Sequence, residues 1–340
     1  MFIPWNHESV RLTGRWSRPQ PSDCDTHRYV APLECAVTTA PGSYFEAAFT
    51  GNWAKLLFFM DQAQQPYPHV WVSVDGGARV EASLDRFMRI AAQGEGPHTV
   101  RVIYKGGMEQ LSRWHLPLVG AAAFRGLEAE GAAALAPDTR PLVEFTGDSI
   151  TEGVLIDADF ADEPVFRYDQ RNRPWQDDVC ATYAWLAAEE VNVRAMFQAY
   201  GATGMTRSGC GGVPRAGEQY PFVFENMPYR GEKPRVVVVN HGTNDRENSA
   251  EEFCARYEEY LDLVRRDNPA VQIVCIVPMI GAFRREISAI VERRRTAGEG
   301  IRLCDLSGML PDEPLHPLRE GHRAAARRLA PVLSAALRAE

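Results

Sequence analysis

Three short stretches carry residue types suited to acyl transfer. Ser149 stands in Gly147-Asp148-Ser149-Ile150-Thr151-Glu152-Gly153, directly after the apolar run Leu142-Val143-Glu144-Phe145. A serine at a tight strand-to-helix turn exposes its hydroxyl above the sheet. Its own N–H lies at a helix N-terminus, where partial positive charge favours an oxyanion. Taken alone, such a serine is far more often a helix N-cap than a nucleophile. Asn244 stands in Asn240-His241-Gly242-Thr243-Asn244-Asp245, after the run Val236-Val237-Val238-Val239. Its amide can donate a hydrogen bond to developing negative charge; alone, the stretch is a turn that caps the next helix. His316 stands in Asp312-Glu313-Pro314-Leu315-His316-Pro317. A free imidazole titrates near ~6.5 and can accept a serine proton at neutral pH; alone, this is a surface histidine in a proline-rich loop. The bland readings weaken together, because a nucleophile, an amide donor and a base stand in chain order at the strand ends of one expected sheet.

The elements that must position them change character along the chain. Upstream of about residue 135 the runs are short and alternating. Ser43 to Phe49 precedes Gly51-Asn52, Val70, Val72 and Val74 precede the hairpin signal Asp75-Gly76-Gly77, and Val100 and Val102 precede Lys105-Gly106-Gly107. Such a pattern predicts an antiparallel β-sandwich over 1–135. Residues 128–140, with their alanine run and Pro137-Asp138, read as a linker. From 140 to 340 strands and helices alternate: strands at Leu142–Phe145, Val193–Ala199, Val236–Val239, Gln272–Val277 and Ile301–Asp305, helices at Ala181–Val191, from the capping box Ser249-Ala250-Glu251-Glu252 to about Arg266, and at Arg319–Leu337. That alternation predicts a parallel sheet with helices on both faces and a ligand site beyond its strand carboxyl ends.

The three loops resemble consensus blocks of the SGNH/GDSL hydrolase superfamily. Gly-Asp-Ser-Ile-Thr-Glu-Gly is similar to its first block, Gly-Thr-Asn-Asp to its third and the His-Pro loop to its fifth. The resemblance spans Pro141 to the C-terminus and implies a flavodoxin-like three-layer α/β/α domain. It also implies a glycine N–H facing the oxyanion; in Tyr200-Gly201-Ala202-Thr203-Gly204-Met205 the match is Gly204, with Gly201 as the alternative. An aspartate usually stands three residues before the histidine. Here that position is Glu313, with Asp312 one residue further away, so either is a candidate third triad member. A Ser–His dyad with a backbone carbonyl holding the ring is the third option. A jelly-roll-like sandwich placed ahead of such a domain is similar to carbohydrate esterase family 2, on Val10-Arg11-Leu12-Thr13-Gly14-Arg15, Phe49-Thr50-Gly51 and Gly96-Pro97-His98-Thr99-Val100. That resemblance implies a deacetylase of plant polysaccharides such as xylan or mannan, with no metal or cofactor. The rivals are a lipid esterase or thioesterase of the same superfamily and a silent carbohydrate-binding protein.

Other residues bound the reading. Trp175, Tyr220 and Tyr229 fall in long insertions after the first two blocks, and Trp175 and Tyr229 are candidates for stacking on sugar; packing against the sandwich is the alternative. Asp148 reads as a structural brace, His241 and His322 as structural histidines, and Cys210 as a packing residue. The formal charge of −8 over 340 residues argues against nucleic acid as a partner. No apolar run reaches the ~20 residues a bilayer requires, so no membrane partner is expected. The N-terminus lacks a basic stretch followed by an apolar core, and the seven cysteines stand singly without zinc spacing; both point to a reducing cytoplasm.

Overall fold

The computed structural model describes residues 1–23, 33–157, 173–310 and 315–339. The first nine strands are β1 (Phe2–Pro4), β2 (Val10–Thr13), β3 (Ala36–Thr38), β4 (Tyr44–Phe58), β5 (His69–Val74), β6 (Val80–Ser83), β7 (Phe87–Ala91), β8 (His98–Gly106) and β9 (Ala122–Ala132). They form one hydrogen-bonded network in the order β1-β9-β4-β8-β5-β6, with β2 and β7 on β4 and β3 on β9. Strand β4 makes this a two-layer sandwich. Tyr44–Phe49 pairs with β8, whereas Ala54–Phe58 pairs with β9, and the register shifts between Thr50 and Ala54. Gly51 occupies that shift with φ +95°, a left-handed conformation that costs glycine little. The bend turns Phe45 inward onto Phe124 of β9, with ring centroids 3.8 Å apart and planes 13° apart. Asp75-Gly76-Gly77 joins β5 to its antiparallel partner β6 as the hairpin expected there. The expected linker begins later than residue 128, because β9 continues to Ala132.

The second sheet is built from β10 (Leu142–Gly147), β11 (Arg194–Ala199), β14 (Val236–Asn240), β15 (Gln272–Val277) and β16 (Ile301–Asp305), in the order β11-β10-β14-β15-β16. Every pairing in it is parallel. A small ribbon, β12 (Phe222–Phe224) and β13 (Met227–Pro228), lies between β11 and β14 in the chain. The helices are α1 (Ser149–Glu152), α2 (Arg173–Gln176), α3 (Tyr183–Glu190), α4 (Ala216–Gln219), α5 (Ala250–Asp267), α6 (Arg284–Thr296) and α7 (Arg319–Leu337). Strand β14 shows why two helical layers are needed. All four valines are buried; Val236 and Val238 pack with Trp185 of α3 and Leu329 of α7, while Val237 and Val239 pack with Phe253 of α5 and Ile287 of α6. Ser249 caps α5 by accepting the Glu252 N–H at 3.1 Å. Helix α6 has no counterpart in the sequence reading: it buries only Ile287, Ile290, Val291 and Arg294 amid charged residues, a stripe too thin to stand out. Strand order reverses between β10 and β14, and the loops carrying Ser149 and Asn244 leave those two strands.

The two sheets share a buried seam. Tyr44 and Ile103 of the sandwich enter the same apolar cluster as Val143, Phe145 and Phe197. Gly42, at φ +85°, lets that layer approach: a Cβ there would lie 2.3 Å from the Phe197 ring. Arg15 crosses the seam, donating from Nε to Glu144 Oε1 on β10 at 2.8 Å and from Nη1 to the Tyr220 carbonyl at 2.8 Å. Both charged side chains are buried. Removing one partner strands the other charge away from water, which costs about 3–5 kcal/mol. Arg15→Met is therefore expected to lose stability of that order in urea unfolding; a change below ~1 kcal/mol would show that Glu144 does not depend on the pair.

Candidate active site

The nucleophile turn is a single helical turn placed on a strand end. Asp148 caps α1, its Oδ1 accepting the Ile150 N–H at 3.0 Å, and Gly153 ends the helix in a left-handed conformation at φ +89°. No other residue fits well at Gly153, since a Cβ would lie 2.6 Å from the Asp178 carbonyl oxygen. Ser149 thus opens the helix and retains 8% of its surface. Its Oγ lies 2.8 Å from His316 Nε2, across 167 residues of sequence. His316 precedes α7, whose first residue, Arg319, binds Asp157 and also Asp178 at 3.2 Å. Arg319 thus ties the start of α7, three residues after His316, to Asp157 on the segment following α1 and to Asp178 after α2.

The turn after β11 lies beside the nucleophile, because Gly147 of β10 is in register with Ala199. The expected oxyanion donor, Gly204, is corrected here: its N–H is bonded to the Arg207 carbonyl at 3.1 Å. The glycine is required for another reason, since a Cβ would lie 2.5 Å from the Asp245 carboxylate. The alternative, Gly201, gives its N–H to Glu152 Oε2 at 2.6 Å. Between them Ala202 holds φ +61°, and its N–H takes no acceptor among the described residues. Asn244 Nδ2 donates to the Thr203 carbonyl at 3.1 Å and makes a longer contact of 3.4 Å with Asp148 Oδ2. The shorter bond fixes the plane of the amide; the longer one is weak enough to yield to an incoming oxyanion. Glu152 completes the frame. Its second oxygen takes the Arg113 guanidinium from the β8–β9 connection, and both side chains are buried. Neither Glu152 nor Arg113 was singled out from sequence. Glu152 lies inside the nucleophile motif, but Arg113 has no local pattern that marks it.

The family model for GDSL-like lipase/acylhydrolase matches residues 145–337, more than half of the chain. The chain belongs to this family. Cellulase/esterase CelE of Acetivibrio thermocellus is 28% identical over 247 residues, which cover 68% of this acylhydrolase chain. The chain spans about a quarter of the length of that curated relative, 27%. The structure of a family two carbohydrate esterase from Cellvibrio japonicus superposes with a TM-score of 0.78 at 18% identity, covering 99% of this chain and 98% of that one. A family two carbohydrate esterase from Clostridium thermocellum, in complex with cellohexaose, gives 0.75 at 22% identity, covering 96% and 99%. Both establish the shared fold: an antiparallel sandwich in front of a parallel α/β/α domain.

The remaining expected residues of this acylhydrolase fall into place individually. Glu313 and Asp312 lie outside the described residues. Tyr229 is half-buried: its hydroxyl donates to the Glu232 carbonyl at 3.0 Å and lies 3.1 Å from Met196 Sδ, and Arg15 covers its ring at 4.3 Å. Tyr220 is buried and donates to Glu144 at 3.1 Å. Trp175 is 57% exposed. His322 Nδ1 accepts the Tyr183 N–H at 3.0 Å, and burial holds its pKa down to about 3. Burial likewise lowers His241 to about 4, so both remain neutral structural groups. Burial raises the Cys210 thiol to about 11, leaving it a poor nucleophile. Among the described residues no cluster of His, Cys, Asp or Glu could hold a metal ion.

Two buried aspartates flank the site, Asp148 and Asp177, and burial pushes each up to about 7 against their hydrogen-bond donors. Unfolded, an aspartate titrates near ~3.9, so folding takes up protons between about pH 4 and pH 7. The stabilisation from these groups is complete below that window and is lost as pH rises through it. Melting temperature is expected to fall from about pH 5 to about pH 8, and Asp177→Asn, which cannot titrate, to flatten the fall. An unchanged slope in calorimetry would show Asp177 ionised throughout.

Proposed function

We propose that this chain is a serine esterase that removes short acyl groups, foremost acetyl, from carbohydrate. The observation that carries the reading is the 2.8 Å contact between Ser149 Oγ and His316 Nε2 at the switch point of the parallel sheet. His316 takes the hydroxyl proton as Ser149 attacks the ester carbonyl. The N–H groups of Ser149 and Ala202 and the amide of Asn244 receive the oxyanion. The C–O bond to the sugar breaks, the sugar oxygen leaves with the proton held on His316, and an acyl-serine remains. Water deprotonated by His316 then releases acetate and regenerates Ser149. Ala202 takes the place given to Gly204 because the glycine N–H is already spent. Glu313, with Asp312 as its alternative, is the proposed orienting carboxylate for His316; loss of kcat in Glu313→Gln but not Asp312→Asn assigns it.

Acetylated xylan or mannan is the substrate class this reading favours. The family resemblance of the sandwich supports it, as do relatives described as carbohydrate esterases, one of them holding cellohexaose. The test is acetate release from acetylated xylo- and manno-oligosaccharides, beside aryl esters of short and long acyl chains. Ser149→Ala is expected to abolish release, and Asn244→Ala to lower kcat by ~10²–10³ with KM little changed. Wild-type release by Ser149→Ala would end the assignment. Preference for long acyl chains would move the reading to a lipid esterase.

A further inference from the structure

We infer that Trp175 is the platform of a sugar subsite on the insertion tied to the segment after the nucleophile helix, an inference that rests on the esterase reading above. Trp175 is 57% exposed, the most exposed tryptophan among the described residues, yet its backbone is over-determined. Lys105 of β8, itself buried, donates from Nζ to the Pro174 carbonyl at 2.9 Å, to the Trp175 carbonyl at 3.1 Å and to Glu81 Oε1 at 2.8 Å. All three of its donors are thereby used, two of them to hold one helical turn. His69 of β5 bonds the same Glu81 oxygen at 2.7 Å and meets the indole edge-on at 4.4 Å. Burying the Lys105 ammonium beside a partly exposed Glu81 is an expensive way to anchor a surface turn, and nothing in the packing requires the indole at its tip to face water.

The surroundings suit a pyranose ring. A cavity of about 390 Å³ is lined by Pro174, which precedes the tryptophan, and His69, which meets its indole, together with Tyr67 and Ser83. A sugar offers an apolar C–H face to the indole and a rim of hydroxyls to its neighbours. With His69 Nδ1 given to the Glu81 carboxylate, Nε2 is the ring's acceptor, and Tyr67 and Ser83 add hydroxyls that donate or accept. An acyl chain would leave these groups unsatisfied. The position is equally telling. Helix α2 and the residues after it are stitched to the segment leaving α1: Asp177 Oδ1 accepts the Leu155 N–H at 2.7 Å, the Gln176 carbonyl accepts from Asp157 at 2.9 Å, and Gly153 accepts from Asp178 at 3.0 Å. Platform and nucleophile therefore move as one unit.

The experiment reads binding rather than turnover. Unacetylated xylo-, manno- and cello-oligosaccharides are titrated by calorimetry into Ser149→Ala, into Ser149→Ala with Trp175→Ala, and into Ser149→Ala with Trp175→Phe. At least one series is expected to bind, with Kd weakened about tenfold by Trp175→Ala, which is ~1.4 kcal/mol, and partly restored by Trp175→Phe. A Kd unaffected by Trp175→Ala overturns the subsite, as does absence of binding by Ser149→Ala at millimolar sugar. Because no ester is cleaved, Trp175-dependent binding alongside an inactive wild type would fail the esterase reading alone, and an active wild type with Trp175-independent binding would fail the subsite alone.

Discussion

The Glu152 carboxylate sits out of water between two elements that would otherwise have no reason to meet. One oxygen takes the Arg113 guanidinium from the connection between β8 and β9; the other takes the Gly201 N–H from the turn after β11. A buried carboxylate without partners costs several kcal/mol, so the sandwich and the oxyanion turn must both close on α1 before that charge is tolerated. Glu152 lies one helical turn from Ser149. The placement of the nucleophile is thus tied to a residue more than thirty positions upstream, in the other sheet's connections, and the sandwich acts as a structural part of the active site rather than an appendage to it.

The same logic explains which donors are left for the reaction. In the turn after β11, Gly201 is committed to Glu152 and Gly204 to Arg207, while the Thr203 carbonyl fixes the Asn244 amide. Among the described residues the N–H of Ala202 remains unengaged, flanked by two pinned residues, at a positive φ that alanine adopts only when its surroundings impose it. Donors held in this way need no reorganisation when charge develops nearby.

These commitments also mark the limit of what the sequence discloses. A strand end, a tight turn and a capping aspartate are local features, so the strand-end placement of Ser149 and Asn244 was legible from their neighbours in the chain. Choosing among adjacent N–H groups of one turn is harder: the acceptor that takes Gly201 comes from Glu152, 49 residues away, and the one that takes Gly204 depends on how the chain turns back at Arg207. Tyr229 and Trp175 look alike in sequence, both aromatic and both in insertions. The fold half-buries Tyr229 against Arg15, which Glu144 holds in place, and leaves Trp175 in water. Helix α6 escaped notice for a related reason, since a three-residue apolar stripe becomes a core element only once β15 and α5 supply its other walls.

Interior and rim therefore obey different rules. Beneath the serine, burial is paid for residue by residue with paired charges and capped N–H groups, and each substitution there disturbs several partners at once. At the rim, the constraint falls on the backbone of α2 while its indole stays open. Rigid backbone beneath an open aromatic face is an arrangement that loses little conformational entropy when a ligand lands on it. Substitutions around Trp175 therefore change the rim without disturbing the geometry between Ser149 and His316.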